Sequence, residues 1–105
     1  MIATLVSGDK MIVTPEGKLT TANAQEFRKE SLGLVDEGNL NLVIDLKNVD
    51  ILDSQGLAVF IICHKSLSER DGALTVMTEN ADFRGLFEMM NMNDQFNICS
   101  TQELG

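Results

Sequence analysis

Apolar and polar positions change period several times along the chain, and each change marks the edge of an element. Residues 2–6 and 11–14 are short, apolar-rich and β-prone, and the turn-like Ser7-Gly8-Asp9-Lys10 between them predicts an opening hairpin. Gly17 breaks the second strand. Leu19-Thr20-Thr21 then leads into a helix with Thr20 or Thr21 as its N-cap, and Ala24, Phe27, Leu34 and Val35 place apolar groups on one face. Glu37-Gly38-Asn39 ends that helix, Gly38 serving as the left-handed cap. Leu40 to Leu46 reads Leu-Asn-Leu-Val-Ile-Asp-Leu, a near-continuous apolar run that suits a central strand covered on both faces. After a turn at Lys47-Asn48, Val49 to Leu52 extends or follows it.

A second helix is predicted from about Ser54 to Arg70, stopping before Asp71-Gly72. At about 100° per residue, Leu57, Phe60, Ile61, His64 and Leu67 form the stripe that faces the sheet. Val59, Ile62 and Cys63 fall on the other side. A helix apolar nearly all round must be covered twice, by the sheet and by either a neighbouring helix or a partner protein. Ala73 to Thr78 is the next strand, and Asn80 caps a third helix with a core stripe of Phe83, Leu86, Phe87 and Met90. Met89 and Met92 fall off that stripe and are expected at the edge of the domain, where they either pack or add an adaptable contact patch. Phe96 to Cys99 reads as a last short strand before a frayed tail. Strands and helices that alternate in this way imply one α/β domain over residues 1–105. Its architecture is a mixed sheet of four to five strands with three or four helices packed on it.

Composition narrows the function classes. The chain of 105 residues leaves no room for a second independent core. No stretch approaches the roughly 20 apolar residues of a membrane span, and the first residues lack a secretory pattern, so a cytoplasmic location is expected. Sixteen acidic residues against eight basic ones give a net charge of −8. That field repels phosphate backbones and anionic headgroups, which argues against nucleic-acid and membrane binding and suits encounter with a basic protein surface. Cys63 and Cys99 lie far apart inside apolar segments and are expected as reduced thiols. With His64 the only histidine, no zinc-ligand spacing exists, and the carboxylates never take the pattern of a calcium loop, so neither metal nor cofactor is expected.

The segment Asp53-Ser54-Gln55-Gly56-Leu57 carries the candidate chemistry. Ser54 stands where a helix begins, and the ordinary role of such a serine is the N-cap. Gly56 just inside the helix is a costly choice, by about 1 kcal/mol relative to alanine, unless something approaches the backbone closely. Val43-Ile44-Asp45-Leu46, then Val49-Asp50, then Asp53-Ser54-Gln55-Gly56-Leu57-Ala58-Val59 together resemble the signature of the STAS family of anti-sigma factor antagonists. Glu16-Gly17-Lys18-Leu19-Thr20 resembles the family's glycine turn into its first helix.

That resemblance implies a phosphorylation site at Ser54 and a partner-binding surface comprising Thr20, Thr21, Asp53, Ser54, Gln55, Gly56 and Val59. It implies partner switching. The unphosphorylated protein binds an anti-sigma factor that is also a serine kinase and so frees its client; apart from the resemblance, a monomer is the default expectation for the free chain. Phosphorylation ends the complex, and a serine phosphatase resets it. Two positions depart from the family pattern. Gln55 stands where members often have a second serine or threonine, and Thr20 where many have an aspartate.

Other function classes fare worse on geometry. A serine hydrolase needs a base beside its nucleophile, whereas His64 is ten residues along the same helix, roughly 15 Å away. The loop at 53–57 has one glycine and no Gly-Lys-Ser/Thr ending, so it lacks the cradle of a P-loop. The remaining alternative is a non-switching protein of the same fold, a scaffold or an accessory subunit of a transporter or signalling complex, with Ser54 only a helix cap.

Overall fold

The structure, a computed structural model, describes residues 3–100; the expectations for Ile2 and for the tail beyond Ser100 lie outside the described residues. β1 (Ala3–Ser7) and β2 (Lys10–Thr14) form the predicted antiparallel hairpin, Ser7 facing Lys10 across the Gly8-Asp9 connection, with Gly8 at φ 63°. β2 then pairs in parallel with β4 (Asn41–Asp45), β4 with β6 (Ala73–Met77), and β6 with β7 (Asn97–Cys99). The strand order β1-β2-β4-β6-β7 puts β4 in the middle, where Leu42, Val43 and Ile44 are fully buried. A central parallel strand is enclosed on both faces, which is why this run lacks polar alternation.

Gly17 does more than break a strand. At φ 75° it opens β3 (Gly17–Leu19), which pairs in parallel with β5 (Val49–Leu52) as a separate two-stranded sheet. Val49–Leu52 is therefore a strand of its own, not an extension of β4. The start of α1 (Ala24–Asp36) also differs from the sequence expectation, because Asn23 precedes the helix and neither Thr20 nor Thr21 caps it. Those threonines belong instead to a turn: Thr20 N–H donates to Asn23 Oδ1 at 3.0 Å, and Thr20 Oγ1 accepts from Ala22 N–H. The other end of α1 is as predicted. Gly38 (φ 99°) donates to the Val35 carbonyl and Asn39 to the Leu34 carbonyl, the paired bonds of a glycine-terminated helix.

α2 (Ser54–Ser68) buries Leu57, Phe60 and Leu67, while Ile61 and His64 are half-buried. Val59 and Cys63, on its other side, are buried as well, with α1 packed alongside. The second cover that an all-round apolar helix requires is thus a helix of this chain. α3 (Ala81–Met89) is capped as predicted, Asn80 Oδ1 accepting from Asp82 and Phe83 N–H. Phe60 of α2 meets Phe27 of α1 and Phe87 of α3 edge-on, with centroids 6.4 and 6.2 Å apart, so one ring from each helix joins the core above the sheet.

The methionines depart from expectation. Met90, placed on the core stripe, is 44% exposed, whereas Met92, placed off it, is fully buried. Asn91 at φ 56° ends the α3 phase and turns the chain into a 3-10 turn, Met92–Asp94, which drops Met92 into the core. Met89 is 79% exposed.

Neither Cys63 nor Cys99 is joined in a disulfide. Burial pushes the Cys63 thiol up to about 11, against smaller lowering effects from the Ser31 hydroxyl and the Arg28 charge. At neutral pH Cys63 is therefore a protonated, enclosed thiol. A thiol reagent should leave it unmodified in the native protein and label it in denaturant; mass spectrometry of the two samples checks this. Fast native labelling at Cys63 would contradict the packing described here.

Candidate functional site

The end of β3 and the start of α2 are tied into one surface. Asp53 N–H donates to the Leu19 carbonyl at 3.2 Å, which holds the loop before α2 against β3. The Asp53 carboxylate then bonds in two directions. Oδ1 accepts from Gln55 N–H at 2.9 Å and Gly56 N–H at 3.1 Å; Oδ2 accepts from Thr21 N–H at 3.0 Å and Thr21 Oγ1 at 3.3 Å. Asp53 is consequently the N-cap of α2, and Ser54 is its first helical residue. This corrects the reading of Ser54 as the cap: the longer aspartate one residue earlier reaches the same orphan amides. The exposed Ser54 hydroxyl takes no part in these cap bonds.

Partial desolvation raises the Asp53 carboxyl, but the bonds from Thr21, Gly56 and Gln55 outweigh it and hold the group below its ordinary value of 3.8. A lowered folded value means that the carboxylate's contribution is complete above the ordinary value and is lost as pH falls through the folded one. Asp53→Ala should lower the melting temperature by several degrees at pH 7, whereas Ser54→Ala should leave it unchanged. The gap between wild type and Asp53→Ala should narrow only as pH falls below the ordinary value of 3.8. Thermal melts of the three proteins across pH check all three statements. An equal loss for Ser54→Ala would return the capping role to Ser54.

The expected site residues divide by exposure. Thr21, Ser54 and Gln55 are exposed, and Thr20 and Asp53 are half-buried, all around the one helix start. Gly56 is buried: the carbonyl of Leu19 lies where its Cβ would be, so the close approach that glycine permits comes from β3. Val59 is only 3% exposed and lies under the surface, at the floor of a groove of about 100 Å³ between α1 and α2. Sequence reasoning missed the rest of that groove, which adds Gln25 and Arg28 of α1 and Ala58 and Ile62 of α2. The four-residue step from Ala24 to Arg28 is the signal that could have placed Arg28 on the α2 side. Asp45 is buried, accepts from Lys47 N–H at 3.0 Å and lies 3.8 Å from Lys47 Nζ.

His64 stays remote, ten residues along the continuous α2 and about 15 Å away by helical rise, so it cannot serve Ser54 as a base. Its ring lies 5.9 Å from that of Phe96. Among the described residues, no group of three or more His, Cys, Asp or Glu side chains could hold a metal ion, and no helix is long and apolar enough to cross a membrane.

A five-stranded mixed sheet carrying three helices, with its exposed polar surface built at one helix start, defines a class of small α/β domains. The chain belongs to the STAS domain family, matched over residues 1–104. It is 25% identical over 103 residues to an anti-sigma-B factor antagonist of Staphylococcus epidermidis, covering 98% of this chain and 95% of the relative. A Thermotoga maritima structure described as a candidate anti-sigma factor antagonist superposes with a TM-score of 0.90 at 23% identity, over 95% of this chain and 86% of that one. The anti-sigma factor antagonist SpoIIAA, solved in unphosphorylated and phosphorylated forms, superposes with TM-scores of 0.74 and 0.75 at 12% identity. These overlaps cover 93% and 99% of this chain, and 86% and 96% of the respective SpoIIAA chains.

Proposed function

We propose that this chain is an anti-sigma factor antagonist that acts by partner switching. Unphosphorylated, it binds an anti-sigma factor with serine kinase activity through the surface formed by Thr20, Thr21, Asp53, Ser54 and Gln55, and so frees the kinase's client. Transfer of a phosphoryl group to Ser54 ends the complex, and a serine phosphatase restores it. The observation that carries this reading is the exposed Ser54 hydroxyl, whose structural role has been taken over by Asp53. A serine not needed as a cap can be modified without undoing the helix. The named activity of the curated relative supports the same role.

The test is a pull-down with Ser54→Ala, which cannot be phosphorylated and should trap the kinase. Wild type incubated with the captured protein and ATP should then gain one phosphate, located at Ser54 by mass spectrometry. A stable complex with no phosphate on Ser54 would make the protein a non-switching scaffold.

A further inference from the structure

Leu5 and Val6, 63% and 66% exposed, are large apolar side chains next to each other in sequence, and both belong to β1. β1 is an outermost strand: one side bonds to β2, and among the described residues no strand lies on the other. Such edges are ordinarily blunted by a lysine, a proline, a bulge or short length. The opposite edge, β7, has only three residues. β1 has five, Ala-Thr-Leu-Val-Ser, with no charge and no proline, and its register runs unshifted from Ala3 to Ser7.

A groove of about 520 Å³ runs between this strand and α1. Thr4 lines it from β1, and Val6, two residues on, shares that face of the strand. Gly33 lines it from α1, and a Cβ there would meet nothing within 4 Å, so its floor is open to a side chain from outside. Three glutamates, Glu26, Glu30 and Glu37, line it against one cation, Lys29.

We propose that the β1 edge and the α1 groove together bind an extended basic segment of a partner protein. The segment's main chain continues the β1 ladder. Its alternate side chains fall into the groove over Gly33, and lysines or arginines among them meet the glutamates. The net charge of −8 draws such a segment in. No lining residue of this groove belongs to the Asp53–Gly56 surface, so the inference stands apart from the role of Ser54.

The test titrates labelled protein with a synthetic octapeptide of alternating valine and lysine, using the valine–glutamate octapeptide as control. Amide shifts should concentrate on Ala3–Ser7, Gly33 and Leu34, and the lysine peptide should bind at least tenfold more tightly. Val6→Lys, which blunts the edge, and Gly33→Leu, which fills the groove, should each weaken binding at least tenfold while the amide spectrum around Phe60 stays native. Equal binding of the two peptides, shifts scattered elsewhere, or no binding at millimolar peptide would overturn the proposal. A dimer in sedimentation that Val6→Lys dissociates would assign the edge to a second copy and also overturn it.

Discussion

Gly56→Ala is expected to destabilise the protein by about 2 kcal/mol, a fall in melting temperature of roughly 10 °C for a domain this size. In an ordinary exposed helix the same change would stabilise by up to about 1 kcal/mol, because alanine is the better helix former. Here the new methyl would overlap the carbonyl oxygen of Leu19, with the Leu19 carbonyl carbon 2.9 Å away. Leu19 has little freedom to retreat. It is 1% exposed, it pairs with Leu52 across β3 and β5, and its carbonyl accepts the Asp53 N–H. Relief therefore means pulling β3 from α2, which also breaks the Thr21–Asp53 bonds. Gly33→Ala in α1 is the matched control, since its Cβ meets nothing within 4 Å, and it should stabilise by about 0.5–1 kcal/mol. Urea denaturation of both variants measures the contrast. Effects of opposite sign, the larger at Gly56, are the expected result; a neutral Gly56→Ala would mean that β3 is far less fixed than its bonds imply.

How much of this was legible in the sequence depended on how local each determinant is. Asn80, Gly38 and the apolar run of β4 were readable because their partners lie within a few residues or follow from burial alone. β3 was not, because three residues carry no period and their pairing with β5 spans some thirty positions. Two capping residues stand side by side at 53 and 54, and composition does not rank them. What decides is Thr21, 32 residues away, which fixes the second carboxylate oxygen of Asp53 and so orients the first toward Gln55 and Gly56. Gly56 was recognisable as a costly residue that something must approach, yet that something is the chain's own β3. Met92 escaped because its burial rests on the backbone angle of Asn91. The candidate site follows the same division: the motif at 53–57 stands in the sequence, while Arg28 and the α1 side of the groove enter only by packing.

Ser54→Asp should weaken binding of the partner captured by Ser54→Ala by roughly 30-fold, and full phosphorylation by more. If the partner places a negative group about 8 Å from residue 54, two like unit charges at that distance and an effective dielectric near 20 repel by about 2 kcal/mol, and a phosphate carries up to twice the charge of an aspartate. The fold offers no comparable penalty, because a negative group on the first residue of α2 sits at the favourable end of the helix dipole and the cap bonds belong to Asp53. The effect should therefore appear in binding and not in stability. Ser54→Asn separates charge from size, since it nearly matches aspartate in volume, and it should bind within a few-fold of Ser54→Ala. Salt gives a second separation: a repulsion across a partly solvated interface should shrink as the Debye length falls from about 10 Å at 0.1 M toward shorter distances. Titration calorimetry of the four proteins at low and high salt provides the measurement, with amide spectra as a check on the fold. If Ser54→Asn binds as poorly as Ser54→Asp, steric fit governs the switch. If phosphorylation shifts amides throughout the sheet, the phosphate acts by rearranging the domain. A salt-sensitive loss confined to the charged forms is the outcome that the exposed, uncapping hydroxyl of Ser54 predicts.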